Sequence, residues 1–313
     1  MTKYIEKNSQ QLFLMIVIVI IGAFLTIKSE YFLTPSNLIN IADSCGYRLI
    51  MAVGMTFIMA SGVMDLSAGS TVSLAGVITA WMLHAGAGIP LSVVAGLLTG
   101  VTAGALNGLL IHYTKISFFI ITLAMSGMLR GISLIITGGR PITRFGATFM
   151  TIGTGRLAVI LTLAAAVILN CTKWGSYIKT LGSNPEALRK CGIGTAGYRI
   201  SVQAVMGLAA AITAVIITAR LNSAEPNAGM DMELDAITAV AMGGTPITGG
   251  KACISGTMLA VIILGIIRNA LTLMSISSDY QQWITGFLLL ISVLVSGIRI
   301  KNTRQNTQEK ENE

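Results

Sequence analysis

The sequence predicts an all-α fold: a polytopic membrane helix bundle of about ten transmembrane helices, with both termini cytoplasmic. Three observations predict it. Of the 313 residues, 53% are hydrophobic and 11% charged, less than half the roughly one-quarter charged share of a soluble domain. That leaves too little polar surface to coat a globule in water, and the mean hydropathy is +0.77. Apolar runs near the roughly 17–25 residues that cross a bilayer recur almost end to end. Helix is required there, since a lone strand leaves backbone N–H and C=O groups unpaired in lipid.

The predicted spans are 12–27, 46–63, 66–84, 89–111, 117–137, 157–171, 200–221, 232–247, 253–274 and 283–298. The first run follows Lys3 and Lys7. The stretch Lys28-Ser29-Glu30-Tyr31-Phe32 after it offers no small-residue cleavage site, so it reads as an uncleaved span. Segments 46–63, 66–84 and 232–247 are short and glycine-interrupted, which suits broken or partly re-entrant helices.

Orientation follows from basic residues. With the N-terminus inside, segments 1–11, 112–116, 172–199 and 299–313 carry most of the Lys and Arg. Arg140, Arg144 and Arg156 on an outer loop oppose that bias without outweighing it. The chain divides into a cytoplasmic N-terminal segment (1–11), a transmembrane domain (12–299) with a cytoplasmic loop at 173–199, and a polar tail (300–313) expected to be disordered. The net charge of +8 lies beside no aromatic stripe, so no nucleic-acid partner is expected.

Four features carry chemistry. Gly96, Gly100, Gly104 and Gly108 recur every four residues, a smooth helix face for close packing, with Asn107 beside it. Asp65, Ser67 and Ser70 lie in Gly62-Val63-Met64-Asp65-Leu66-Ser67-Ala68-Gly69-Ser70, between two apolar segments. Asp65 and Ser67 are natural caps for a helix running on from 68. They equally suit a polar break beside a water-filled cavity, and the two readings are compatible. Glu233 and Asp235 open an apolar segment, where acidic groups suit the positive end of a helix dipole. A turn holding Gly243, Gly244, Thr245, Pro246, Gly249 and Gly250 closes it. In the loop, Asn184 caps, Pro185 starts and Gly192 stops a short helix containing Glu186, Ala187, Arg189 and Lys190. It reads as a rigid knob offered to a cytoplasmic partner.

Other signals are excluded. The turn at 243–252 lacks the first glycine and the Ser/Thr of a phosphate loop. Residues 192–197 match a dinucleotide fingerprint in letters only, with no strand before them. The four cysteines lack metal-ligand spacing, His84 and His112 sit at span ends without a nearby acidic partner, and no nucleophile–base set appears. No metal or cofactor is expected on this chain.

Together these segments resemble the permease subunits of bacterial ATP-binding-cassette (ABC) monosaccharide importers, the ribose/xylose/arabinose branch. Residues 62–70 look like that family's Gly-Gly-Ile-Asp-Leu-Ser-Val-Gly-Ser, with Val63 and Ala68 among the departures. Asn107 to Ile111 looks like its fourth-helix ending, and Leu181 to Ile193 like its coupling loop. Residues 222–229, 233–237 and 243–245 look like its most diagnostic stretch. The resemblance covers about residues 12–298 and departs at Ser117-Phe118, where the family commonly has proline.

The resemblance implies a multi-pass protein of the bacterial inner membrane, paired with a second permease chain as a homodimer or paralogous heterodimer. It implies a cytoplasmic ABC ATPase that holds ATP-Mg, and a periplasmic or lipid-anchored sugar-binding protein. Gly182, Ser183, Asn184, Glu186, Ala187, Arg189 and Gly192 would couple to the ATPase. Expected path residues are Asp65, Ser67, Ser70, Asn107, Asp235, Thr245 and Asn269, the last on membrane placement alone. The substrate would be a ribose-like sugar; an autoinducer-2-like furanose, deoxysugar, inositol or nucleoside stays open. An ion-coupled secondary transporter is disfavoured because the acidic residues cluster at span ends.

Overall fold

The computed structural model describes residues 2–155, 157–277, 280, 282–288, 290–291 and 294, with residues 2–9 as backbone. The chain is helical almost throughout. Its helices are α1 (Thr2–Lys28), α2 (Pro35–Ala60), α3 (Ala68–His84), α4 (Ile89–Thr114), α5 (Phe118–Thr137), α6 (Ala147–Met150), α7 (Leu157–Cys171), α8 (Lys173–Ser183), α9 (Pro185–Lys190), α10 (Thr195–Leu221), α11 (Met232–Met242) and α12 (Ile254–Leu273). Residues 282–288 are also helical. The expected disorder of 300–313 lies outside the described residues, as do 289, 292–293 and 295–298 of the span expected at 283–298.

Among the described residues six helices are long and apolar enough to cross a membrane alone: 10–28, α2, α4, α5, α10 and α12. The helices α3, α7 and α11 are shorter; α7 and α8 together would raise the number of candidate crossings to seven. α7 runs into α8 with a bend of 71°.

Two elements differ from expectation. α2 begins at Pro35, not near 46, because Thr34 caps it, accepting from Asn37 N at 3.4 Å, and Pro35 sits at its first position. The polar residues that made this stretch look non-spanning are paired inside the bundle. Asn37 and Asn269 exchange amide bonds at 3.0 and 2.7 Å, and Asp43 meets Arg220 at 3.4 Å. α11 is shorter than expected, 11 residues, or roughly 16 Å of axis, about half a hydrocarbon core.

The core is built from α2, whose residues from Cys45 to Ala60 are almost all buried, ringed by α7, α10, α11 and α12. The glycine stripe of α4 packs against α10 and α3. A Cβ on Gly108 would lie 2.7 Å from Ile200 Cα, and one on Gly100 or Gly104 would strike backbone carbonyls of Gly207 or Gln203. Only bare backbone fits there. On the outer side, β1 (Ile142–Thr143) pairs antiparallel with β2 (Ser223–Ala224), Ile142 opposite Ala224. That pins the outer loop to the end of α10. An apolar cleft of about 380 Å³ remains between α2, α7 and α10, with Phe57 and Trp174 in its wall.

Candidate functional site: a broken span and an exposed knob

α10 ends at Leu221, with Asn222 left-handed at φ 50°. The chain then runs without helix to Asp231 (φ 61°), where α11 starts. This segment does not turn back at the surface. It runs down the side of α3: β2 and Ala80 share one apolar cluster, Ser73 Oγ donates to Pro226 O at 2.6 Å, and Gly69 lies against Gly229 O. Irregular backbone at that depth needs partners for its carbonyls. Arg130 of α5 supplies them, donating from Nη1 to Pro226 O and Ala228 O at 2.8 Å each. Arg130 sits roughly 18 Å along α5, near mid-membrane. α11 therefore opens inside the bundle, with Glu233 and Asp235 in its first turn, where its dipole presents positive charge. Gln282 donates to Asp231 and ties the following helix to the same break.

Asp235 is buried and ion-paired with Arg268 of α12. Arg48 of α2 lines the same small cavity, about 10 Å³ in volume, with Met51, Met232 and Leu264. The cavity is one water in size. Asp235 faces two guanidiniums there. Arg48, Arg130 and Arg268 are ionisable residues within spans, which the sequence reading passed over when it weighed only the acidic residues, at span ends. Each lies alone in an apolar run, a signal that by itself marks a partnered interior position.

The expected path residues fall in five places. Asp65, Ser67 and Asn107 form one buried knot. Asp65 Oδ1 accepts from Ser67 N at 2.7 Å and Ser67 Oγ at 2.6 Å, and Asn107 Nδ2 donates to Ser67 Oγ at 2.8 Å. Ser67 occupies the N-cap of α3, but its side chain makes no cap bond. The carboxylate of Asp65 takes that hydroxyl, the stronger charge-assisted bond. Ser70 bonds Ser126 of α5 at 2.8 Å, next to Gly69, which lies against Gly229 of the break. Asp235 lies in the charged cavity. Thr245 accepts from Cys253 N at 3.0 Å and holds the turn between α11 and α12. Asn269 pairs with Asn37.

The short helix of the 173–199 loop is capped as its sequence predicts. Asn184 Oδ1 accepts from Ala187 N at 3.0 Å, Pro185 opens α9, and Gly192 at φ 75° ends it. Glu186, Arg189 and Lys190 are exposed, and Leu188 anchors the helix from below. The sequence reading missed α8. Its Trp174 packs on Phe57 with centroids 5.5 Å apart and donates to Ser201 at 3.0 Å, so the knob stands on a braced base.

Comparison with known proteins bears on this arrangement. Residues 37–293 match the family described as branched-chain amino acid transport system / permease component. The ribose import permease protein RbsC of Escherichia coli K12 is 36% identical over 294 residues, covering 90% of this chain and 92% of that one. The autoinducer 2 import system permease protein LsrC of Yersinia pseudotuberculosis is 29% identical over 310 residues, covering 96% and 88%. Among solved structures, an inward-facing metal-chelate type ABC transporter superposes with a TM-score of 0.53 at 13% identity, over 93% of this chain and 98% of that one; it shares the fold. Since the family match spans most of the chain and the relatives align nearly end to end, this multi-pass inner-membrane protein belongs to the branched-chain amino acid transport system / permease component family.

Proposed function

We propose that this chain is the membrane permease of an ATP-driven importer carrying a ribose-like monosaccharide. The observation that carries this is the 36% identity to a ribose import permease over 90% of the chain. The family description mentions amino acids, but a relative at this identity over nearly the whole chain is the narrower guide. ATP hydrolysis belongs to a separate cytoplasmic subunit holding ATP-Mg, docked on α9 through Gly182, Ser183, Asn184, Glu186, Ala187, Arg189 and Gly192. A second permease chain completes the path, and a periplasmic or lipid-anchored binding protein delivers the sugar.

The broken span supports the path. A neutral, hydroxyl-rich solute is handed along by scattered hydrogen-bond groups, and an unwound segment at mid-membrane depth is where transporters place them. Ser70 and Asp235 flank that break and are the proposed solute contacts. Asp65, Ser67 and Asn107 hold the start of α3 in place beside it, while Thr245 and Asn269 fix the neighbouring helix ends. A second reading, import of an autoinducer-2-like furanose, rests on the alignment with LsrC over 96% of the chain.

Uptake by cells expressing the chain with its ATPase and binding protein separates these. Labelled ribose is expected to accumulate and to be displaced by excess unlabelled ribose but not leucine. Accumulation of leucine alone overturns the sugar reading, and displacement by the furanose alone selects the second.

A further inference from the structure

The coupling loop meets the bundle at one place built from bare backbone. Gly182, the penultimate residue of α8, lies against the end of α2 and against the turn joining α11 to α12. A Cβ on Gly182 would stand 2.7 Å from Gly250 N and 3.0 Å from Ser61 C, and would strike Ala60 O. One on Gly249 would stand 2.7 Å from Gly62 Cα and 3.0 Å from Gly182 Cα. Gly250 N donates to Ala60 O at 2.9 Å, so α2 and the turn are bonded as well as touching. Gly62, Gly249 and Gly250 have φ of 78°, 83° and 85°, which side-chain-bearing residues rarely adopt.

The far side of the turn is clamped by α1. Gln10 Nε2 donates to Met242 O at 2.8 Å, and Gln11 Nε2 donates to Ser255 Oγ at 2.7 Å. The turn is thus gripped from both sides. The three helices that converge on the junction are α2, α11 and α12, and they carry Arg48, Asp235 and Arg268, the charges around the cavity beside the broken span.

We propose that Gly62, Gly249 and Gly250, with Gly182, form the transmission joint of the transporter: positioning residues that pass displacement of the coupling loop to α2, α11 and α12 as one body. This rests on the coupling role given to α9 above. The close backbone contact makes the joint stiff, since no flexible side chain lies in the line of force. The three helices converging on it lead that force to the mid-membrane charges.

The test uses the assembled transporter with Gly249→Ala, which wedges the joint from the side remote from α9. Basal ATP hydrolysis and co-purification of the ATPase are expected to stay within about twofold of the parent, while stimulation of hydrolysis by sugar-loaded binding protein, and sugar uptake, fall about tenfold or more. Should Gly249→Ala fail to accumulate in the membrane, the pair Gln10→Ala with Gln11→Ala, which loosens the clamp without adding bulk, carries the same readout. Uptake and stimulation near parental levels in the variant that accumulates overturn the joint. Glu186→Arg is the separate arm: it is expected to lose the ATPase from the complex, and retention there overturns the coupling role of α9 instead.

Discussion

Asp235 is ion-paired with Arg268 and shares a small cavity with Arg48, largely buried in the bundle. Removing one member of a buried pair strands the other, at a cost of about 3–5 kcal/mol. The site is asymmetric, so the two single variants differ. Arg268→Met leaves Asp235 with Arg48 still across the cavity. Asp235→Asn leaves two guanidiniums with no carboxylate. Asp235→Asn is therefore expected to lower the melting temperature in detergent more than Arg268→Met, and the double variant to recover much of the loss. An equal or reversed order counts against the arrangement. At this scale the sequence was half legible. Asp65, Ser67 and Asn107 stood out because polar residues between apolar runs demand partners, and they do partner one another. Arg48, Arg130 and Arg268 did not, since each is outvoted by the apolar residues around it when a run is read as a whole. The use of Arg130, closing two carbonyls 96 and 98 residues away in sequence, is invisible without the fold.

Helices show the same division. The four-residue glycine period of α4 named its packing face correctly, because the period of a helix is local information. Gly127 of α5 has open space around its missing Cβ, whereas Gly104 abuts the backbone of Gln203. Alanine at 104 is expected to destabilise by roughly 1–3 kcal/mol through overpacking. Alanine at 127 is expected to be neutral or to gain a few tenths to about 1 kcal/mol from helix propensity. Thermal unfolding of the two purified variants checks this, and equal behaviour removes the packing role of the stripe. The limits of α2 and α11 were less legible. α2 carries Asn37, Asp43 and Arg48, whose pairing across helices cannot be seen in one segment. α11 looked longer because Gly243 to Ile247 continues an apolar composition after the helix has ended.

Across the whole molecule, the bundle joins two working regions on one scaffold. The knob on α8 and α9 is capped and exposed. The broken span between α10 and α11 holds unwound backbone and paired charges inside the membrane. Helices α2, α11 and α12 run between them. That the chain is a multi-pass helical membrane bundle was legible in composition, a sum over many residues and tolerant of local error. How a cytoplasmic event reaches the interior was not, since it depends on a meeting of Gly62, Gly182 and Gly249 from three distant parts of the chain. The central claim, transport driven by a separate ATP-hydrolysing subunit, is tested most directly in proteoliposomes holding the purified chain with its ATPase and binding protein. Labelled ribose is expected to cross only where ATP reaches the ATPase, at a rate unaffected when proton and sodium gradients are collapsed. Ribose entry that continues without ATP and stops when an ion gradient is collapsed would contradict the account.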